Sequence, residues 1–225
     1  MLWGVGMEAI KTIGLKKNFK VGMIEQQVLN GIDIIIEKGD FTGIVGPSGS
    51  GKTTLLYCLS SLEKISEGKA YINGKNIVDF TESEIAKLRQ STIGFIFQFY
   101  NLIPNLTVFE NVLLAKVIAG KGDSQIEHIL DKVGMKDFLN YYPNQLSGGM
   151  QQRVAIARAL VNEPEIIFAD EPTGNLDQKI GKEIMDLLKE LNRTEKVTIV
   201  LVTHNEDYLT YCNKVFRLLD GKIII

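Results

Sequence analysis

Gly46-Pro47-Ser48-Gly49-Ser50-Gly51-Lys52-Thr53 places glycines, a lysine and a hydroxyl in one short stretch. This G-x-x-x-x-G-K-[ST] spacing suits a phosphate cradle. Glycine has no Cβ, so backbone N–H groups can turn inward around phosphate oxygens. Lys52 is expected to reach the β- and γ-phosphates, and the Thr53 hydroxyl to ligate Mg²⁺. Thr54 is a further phosphate donor. A second constellation lies far downstream. The apolar run Ile166-Ile167-Phe168-Ala169 ends in Asp170 and Glu171. In an open parallel sheet, ligands bind at the carboxyl ends of strands. There Asp170 would hold Mg²⁺ directly or through water. Glu171 would face a water attacking the γ-phosphate, as general base or as the group that positions it.

Both constellations need strands to carry them. Residues 41–45 form a short apolar run of the buried-strand type, directly before the glycine-rich loop. Residues 53–62 read as the following helix, so a helix N-terminus would add positive potential at the phosphates. Residues 9–19 and 28–37 are rich in β-branched residues and read as strands joined around Gly22. Strands are also expected at 70–72, 93–97, 166–169 and 197–202, with a closing hairpin of 215–219 and 222–225 around Asp220-Gly221. Helices are expected at 82–90 and 181–191. From about 99 to 160 helical patterns dominate, at 108–119, 124–133 and 150–160. Strands alternating with helices imply an α/β fold with a mainly parallel sheet. The middle stretch reads as a helical insertion.

Further motifs occur in a fixed order. Leu146-Ser147-Gly148-Gly149-Met150 resembles the LSGGQ signature of ATP-binding-cassette (ABC) ATPases, with Met150 where Gln is usual. Gln98, at the end of a strand, resembles the Q-loop. Asn175-Leu176-Asp177 resembles the D-loop, and His204 the switch histidine. The resemblance runs from about residue 10 to 225. It implies a P-loop NTPase (RecA-like) core, an antiparallel β subdomain and a helical subdomain. The implied division is a core over about 8–98 and 161–225, with the helical signature subdomain over about 99–160, all within one domain of 1–225.

The resemblance also implies roles. ATP and Mg²⁺ are the expected ligands. Gln98 would sense Mg²⁺ and the attacking water. His204 would contact the γ-phosphate and hold Glu171. Phe19 stands where an aromatic residue stacks on adenine; a plain strand-core role is the alternative. Ser147, Gly148 and Gly149 would form an anion site at a helix start. They would bind the nucleotide held by the phosphate loop of a second copy, in a two-fold dimer. Asp177 would reach toward the partner's phosphate loop. The segment Ala169-Asp170-Glu171-Pro172-Thr173-Gly174-Asn175-Leu176-Asp177 resembles the branch of lipoprotein-release, macrolide-export and antimicrobial-peptide-resistance transporters. Importers of that family more often carry Ser-Ala in place of Gly174-Asn175. The implied function is an ATPase subunit that drives a separate transmembrane permease. An ATP switch controlling cell-wall hydrolysis through a membrane partner, and an importer ATPase, are the alternatives.

Composition is compatible with this reading. The 225 residues are 45% apolar and 23% charged, enough to build a core. Lys and Arg number 25 against 27 Asp and Glu, so no basic excess recruits nucleic acid. Mean hydropathy is +0.06, and no apolar run approaches the roughly 18 residues that span a bilayer. Attachment to the inner face of the cell membrane would therefore come through the permease, with no direct lipid anchor and a cytoplasmic location. The two cysteines, Cys58 and Cys212, fit neither a disulfide framework nor a zinc site. The apolar start, residues 1–6, lacks the basic region of a secretory signal and is assigned no function.

Overall fold

The structure, a computed structural model, describes residues 7–22 and 24–224. The apolar segment 1–6 and residue 225 lie outside the described residues.

Among the described residues, eleven strands and six α-helices follow in chain order. They are β1 (Glu8–Val21), β2 (Ile24–Ile32), β3 (Ile35–Glu37), β4 (Phe41–Val45), α1 (Lys52–Leu59), β5 (Glu67–Ile72), β6 (Lys75–Asn76) and α2 (Glu82–Ser91). Then come β7 (Ile93–Ile96), α3 (Val108–Ile118), α4 (Ile126–Lys132), α5 (Gly148–Leu160), β8 (Ile166–Asp170), α6 (Gln178–Glu195), β9 (Thr198–Val202), β10 (Lys214–Leu219) and β11 (Lys222–Ile224). The parallel sheet runs β11-β10-β4-β9-β8-β7, with only the β10–β11 hairpin antiparallel. A second, wholly antiparallel sheet runs β2-β1-β5-β6, with β3 also paired to β1.

Period-2 alternation in the central strands divides the interior into two cores. Phe41, Ile167, Ala169, Ile199 and Leu201 face one side, where they pack on α3, α4, α5 and α6. Ile44, Ile166, Phe168, Val200 and Val202 face the other. That side receives Leu55, Leu56 and Leu59 of α1 and the inner face of the antiparallel sheet. Strands β4, β8 and β9 are buried along their whole length. This is why they read as unbroken apolar runs.

Three expectations need correction. The single strand expected over 28–37 is two, β2 and β3. The Thr12 hydroxyl donates to the Ile32 carbonyl at 2.8 Å and accepts from the Ile34 N–H at 3.1 Å. Asp33 Oδ1 accepts from the Gly14 N–H at 2.6 Å. These side chains replace the ladder and break the strand. The helix expected to reach residue 62 ends at Leu59, because the chain turns to positive φ (58°) at Ser61. The helix expected over 181–191 is longer, because Asp177 caps it through the Ile180 N–H at 3.0 Å and it continues to Glu195.

Candidate functional site

The C-terminal ends of β4, β8 and β9 converge on the loop that follows β4. Strand β4 delivers Gly46 to that loop, and α1 starts at Lys52. Only a bare backbone fits at Gly46, since a Cβ there would collide with the Leu218 carbonyl oxygen. Gly51 sits at φ 100°, and a Cβ on it would lie 3.1 Å from the Val28 carbonyl oxygen. The loop is therefore wedged between β10 and β2. Lys52 is buried and donates to the Gly46 and Pro47 carbonyls, each at 2.9 Å. The Ser50 hydroxyl is buried without a hydrogen-bond partner. An orphaned donor inside a glycine-rich loop fits a phosphate oxygen as its partner.

Strand β8 ends at Asp170, whose Oδ1 accepts from the Thr53 hydroxyl at 3.1 Å. A hydroxyl and a carboxylate held side by side are the all-oxygen donor set that Mg²⁺ takes. The Asp170 pKa is raised, chiefly by burial, and hydrogen bonds from Thr53 and Tyr57 pull it back. Burial and the facing Asp170 charge push the Tyr57 phenol up in turn.

Glu171 follows with φ 44°, a strained value for a residue with a side chain. Its N–H is tied to the Val202 carbonyl at 2.9 Å, which joins the carboxylate to the end of β9. There His204 Nδ1 lies 2.8 Å from Glu171 Oε2. Gln98, two residues past β7, is held by Asn175. The Asn175 side-chain amide donates to the Gln98 carbonyl at 3.0 Å, and Gln98 Nε2 donates to Asn175 Oδ1 at 3.4 Å. Gly174 leaves room for this contact, since a Cβ on it would sit 2.7 Å from Gln98 Nε2.

The structure thus joins Thr53 to Asp170 and Glu171 to His204 at neighbouring strand ends, with Lys52 in the adjoining loop, and holds Gln98 against Gly174 and Asn175 in the segment that follows Glu171. Ser147, Gly148 and Gly149 have a different set of neighbours. Ser147 caps α5 by accepting from the Met150 N–H at 3.3 Å. A Cβ on Gly148 would meet the Tyr100 hydroxyl at 2.8 Å, and one on Gly149 would meet Ile180 Cγ2 at 2.5 Å. The signature end of α5 packs against the segment around Asp177 and α6. Phe19 is half-buried on β1.

Three contributors were not singled out from sequence. Tyr57 lies four residues after Thr53 on α1, the spacing that shares a helix face. Asn175 belongs to the D-loop motif, but its grip on Gln98 spans 77 residues of sequence. Lys17 lies 4.5 Å below the centre of the Phe19 ring. The spacing of two on one strand was its only signal.

The two-sheet architecture around a phosphate loop is that of a P-loop NTPase cassette. The dimeric ATP-binding cassette MJ0796, solved in a post-hydrolysis state bound to ADP and Pi, has this fold. It superposes with a TM-score of 0.88 at 41% identity, over 96% of this chain and 97% of that one. The ABC transporter family profile matches residues 29–174. The lipoprotein-releasing system ATP-binding protein LolD 1 of Rhodopseudomonas palustris is 40% identical over 222 residues, 96% of this chain and 98% of that protein. The macrolide export ATP-binding/permease protein MacB of Bdellovibrio bacteriovorus is 46% identical over 212 residues, 93% of this chain. The chain spans about a third of that longer relative, 32% of its length. The chain belongs to the ABC transporter family, and it is an ATP-binding, ATP-hydrolysing cassette.

Proposed function

We propose that this cassette powers a separate membrane permease of the export or lipoprotein-release kind. Strong identity to LolD 1 and to the cassette part of MacB supports the branch. No helix among the described residues is long and apolar enough to cross a membrane, so the permease would hold the cassette on the cytoplasmic face. An open groove of about 490 Å³ lies beside the Gln98 loop, lined by Leu62, Ile93, Phe95, Phe97, Ile118 and Arg158. Its apolar floor suits a docking segment of that permease, close enough to Gln98 for movement to pass between them.

The observation that carries the hydrolytic reading is the pairing of Glu171 with His204 at 2.8 Å beside the Thr53–Asp170 contact. Lys52 would exchange the loop carbonyls for the β- and γ-phosphates. Mg²⁺, held by Thr53, Asp170 and Gln98, would neutralise charge on those phosphates. Glu171 would accept a proton from the attacking water while His204 fixes the carboxylate's orientation. Ser48 and Gly49 of the loop and Thr54 in the first turn of α1 would hold the phosphates through backbone and hydroxyl donors. Ser147, Gly148 and Gly149 pack against the segment around Asp177, and this favours their use by a second copy. Two chains would then enclose two nucleotides, with Asp177 at the seam.

Glu171→Gln tests this reading. It keeps the side-chain shape but removes the base, so hydrolysis should fall about 10²- to 10⁴-fold while ATP still binds. With ATP the variant should elute as a dimer in size-exclusion chromatography. Wild-type turnover in that variant would overturn the assignment.

A further inference from the structure

Lys17 is a buried cation that the hydrolytic reading does not use. Its side chain is only 9% exposed, and lysine is seldom so enclosed unless it is paired. Two of its donors are taken: Nζ lies 2.6 Å from Glu63 Oε1 and 2.8 Å from the Lys64 carbonyl. A third side of the ammonium faces the Phe19 ring, 4.5 Å from its centroid. Glu63 and Lys64 follow closely on α1, the helix that starts at the phosphate loop. Neighbouring bonds stiffen the same junction. The Ser66 N–H donates to the Lys16 carbonyl at 2.9 Å, and the Asn18 N–H donates to the Ser66 hydroxyl at 3.0 Å. On the other edge of β1, Lys17 is in register with Leu29, and Leu29 Cδ2 is 3.0 Å from where a Cβ on Gly51 would stand. Strand β1 is therefore tied to the segment that follows the phosphate-loop helix, and its partner strand β2 places Leu29 beside Gly51 at the start of that helix.

We propose that Lys17 is a positioning residue for the nucleotide base: clamped by Glu63 and Lys64, its ammonium holds the Phe19 ring as a fixed platform on which the base stacks. A cation over an aromatic face is attracted by the ring quadrupole and favours one ring orientation. A half-buried phenylalanine without such a brace keeps some freedom about χ1 and χ2 and loses it when a base settles on it. The brace removes that cost before binding. It also sets the height of the platform relative to the phosphate loop, because Lys17 is anchored at the end of the same helix. The inference rests on the reading of Phe19 as the base-stacking residue.

The test compares ATP with inorganic tripolyphosphate, which has no base. Binding of each to the full chain is measured by isothermal titration calorimetry. Lys17→Met should weaken ATP about three- to tenfold, the range a partly desolvated cation–π contact supports, and leave tripolyphosphate unchanged. Lys17→Arg, which keeps charge and ring contact, should recover most of the loss. Glu63→Gln, which loosens the clamp at a half-exposed position, should show the same base-dependent loss in smaller measure. It carries the test if Lys17→Met does not fold. Equal weakening of both ligands would mark a structural role and overturn the proposal, as would unchanged ATP affinity in a folded variant. Phe19→Ala separates the two layers. If it leaves ATP affinity unchanged, the platform reading and the brace both fall. If it weakens ATP while Lys17→Met and Glu63→Gln do not, the platform stands and the brace falls.

Discussion

Gly174→Ala adds one methyl group at the point where the segment after β8 touches Gln98. The new Cβ would lie 2.7 Å from Gln98 Nε2, 3.1 Å from Cδ and 3.3 Å from Cγ. Relief to ordinary van der Waals contact needs a shift of about 0.7 Å at the amide end. The glutamine side chain is flexible and can move that far. Its bond to Asn175 Oδ1, already 3.4 Å long, breaks when it does. The second bond, from the Asn175 amide to the Gln98 carbonyl at 3.0 Å, involves backbone and survives. The lost bond is exposed, so water replaces it and the stability cost stays under about 0.5 kcal/mol. The effect on chemistry is larger, because a group displaced by about 0.7 Å loses its alignment and costs on the order of 10- to 100-fold in rate. The assay is steady-state ATP hydrolysis beside thermal unfolding of the same preparation. The expected pattern is a fall in kcat with an unchanged Tm. Gln98→Ala should lower kcat at least as far, and the double variant should be no worse than Gln98→Ala alone, since both act through one side chain. Wild-type kcat in Gly174→Ala would refute the steric argument. Additive losses in the double variant would refute the route through Gln98.

Other perturbations follow from the same geometry. Lys52→Ala removes the cation held at the mouth of the phosphate loop, so ATP affinity measured by calorimetry should fall at least about tenfold. Gly94→Ala sets a Cβ 2.5 Å from the Ala159 carbonyl oxygen and 3.2 Å from Pro164 Cγ, where backbone cannot yield. It should cost about 1–3 kcal/mol in denaturant unfolding, although Gly94 lies outside the nucleotide site. Tyr211→Phe tests a pH dependence. The Tyr211 hydroxyl, 2.6 Å from Asp186, and then Lys182 hold the Asp186 carboxyl below its ordinary value of 3.8. A depressed folded value favours the fold above the unfolded pKa and loses that benefit as pH falls through the folded one. The stability gap between wild type and Tyr211→Phe should therefore be full near neutral pH and shrink in acid below about 3.8, as read from urea melts.

Legibility in the sequence tracked the range of the interaction. The phosphate loop and the Asp170-Glu171 pair could be read directly, because each is a contiguous run with its strand attached. The buried central strands were equally plain, since burial on both faces erases polar alternation. The break between β2 and β3 was hidden. It depends on Thr12 of β1 bonding the Ile32 and Ile34 backbone and on Asp33 bonding the Gly14 N–H, contacts between two segments that neither shows by itself. The early stop of α1 was hidden too, because Ser60 and Ser61 are tolerated in helices until packing turns the chain. Among the site residues, Asn175 was read only as part of a motif, and Tyr57 and Lys17 were not read at all, because each acts through a side-chain contact that residue type alone does not announce.

Residue type and spacing alone determined that this chain handles a nucleoside triphosphate, because phosphate cradling is a property of consecutive glycines, a lysine and a hydroxyl. They also determined the alternation of strand and helix that carries the loop. Only the tertiary structure decided how those groups meet: Asp170 on Thr53, Glu171 on His204, Gln98 under Asn175 and Lys17 under Phe19. All but the Lys17–Phe19 pair, which lies within β1, join separate segments. Their distances are set by strand register and by the two cores that clamp the parallel sheet, and those long-range packing terms are not written in any one segment.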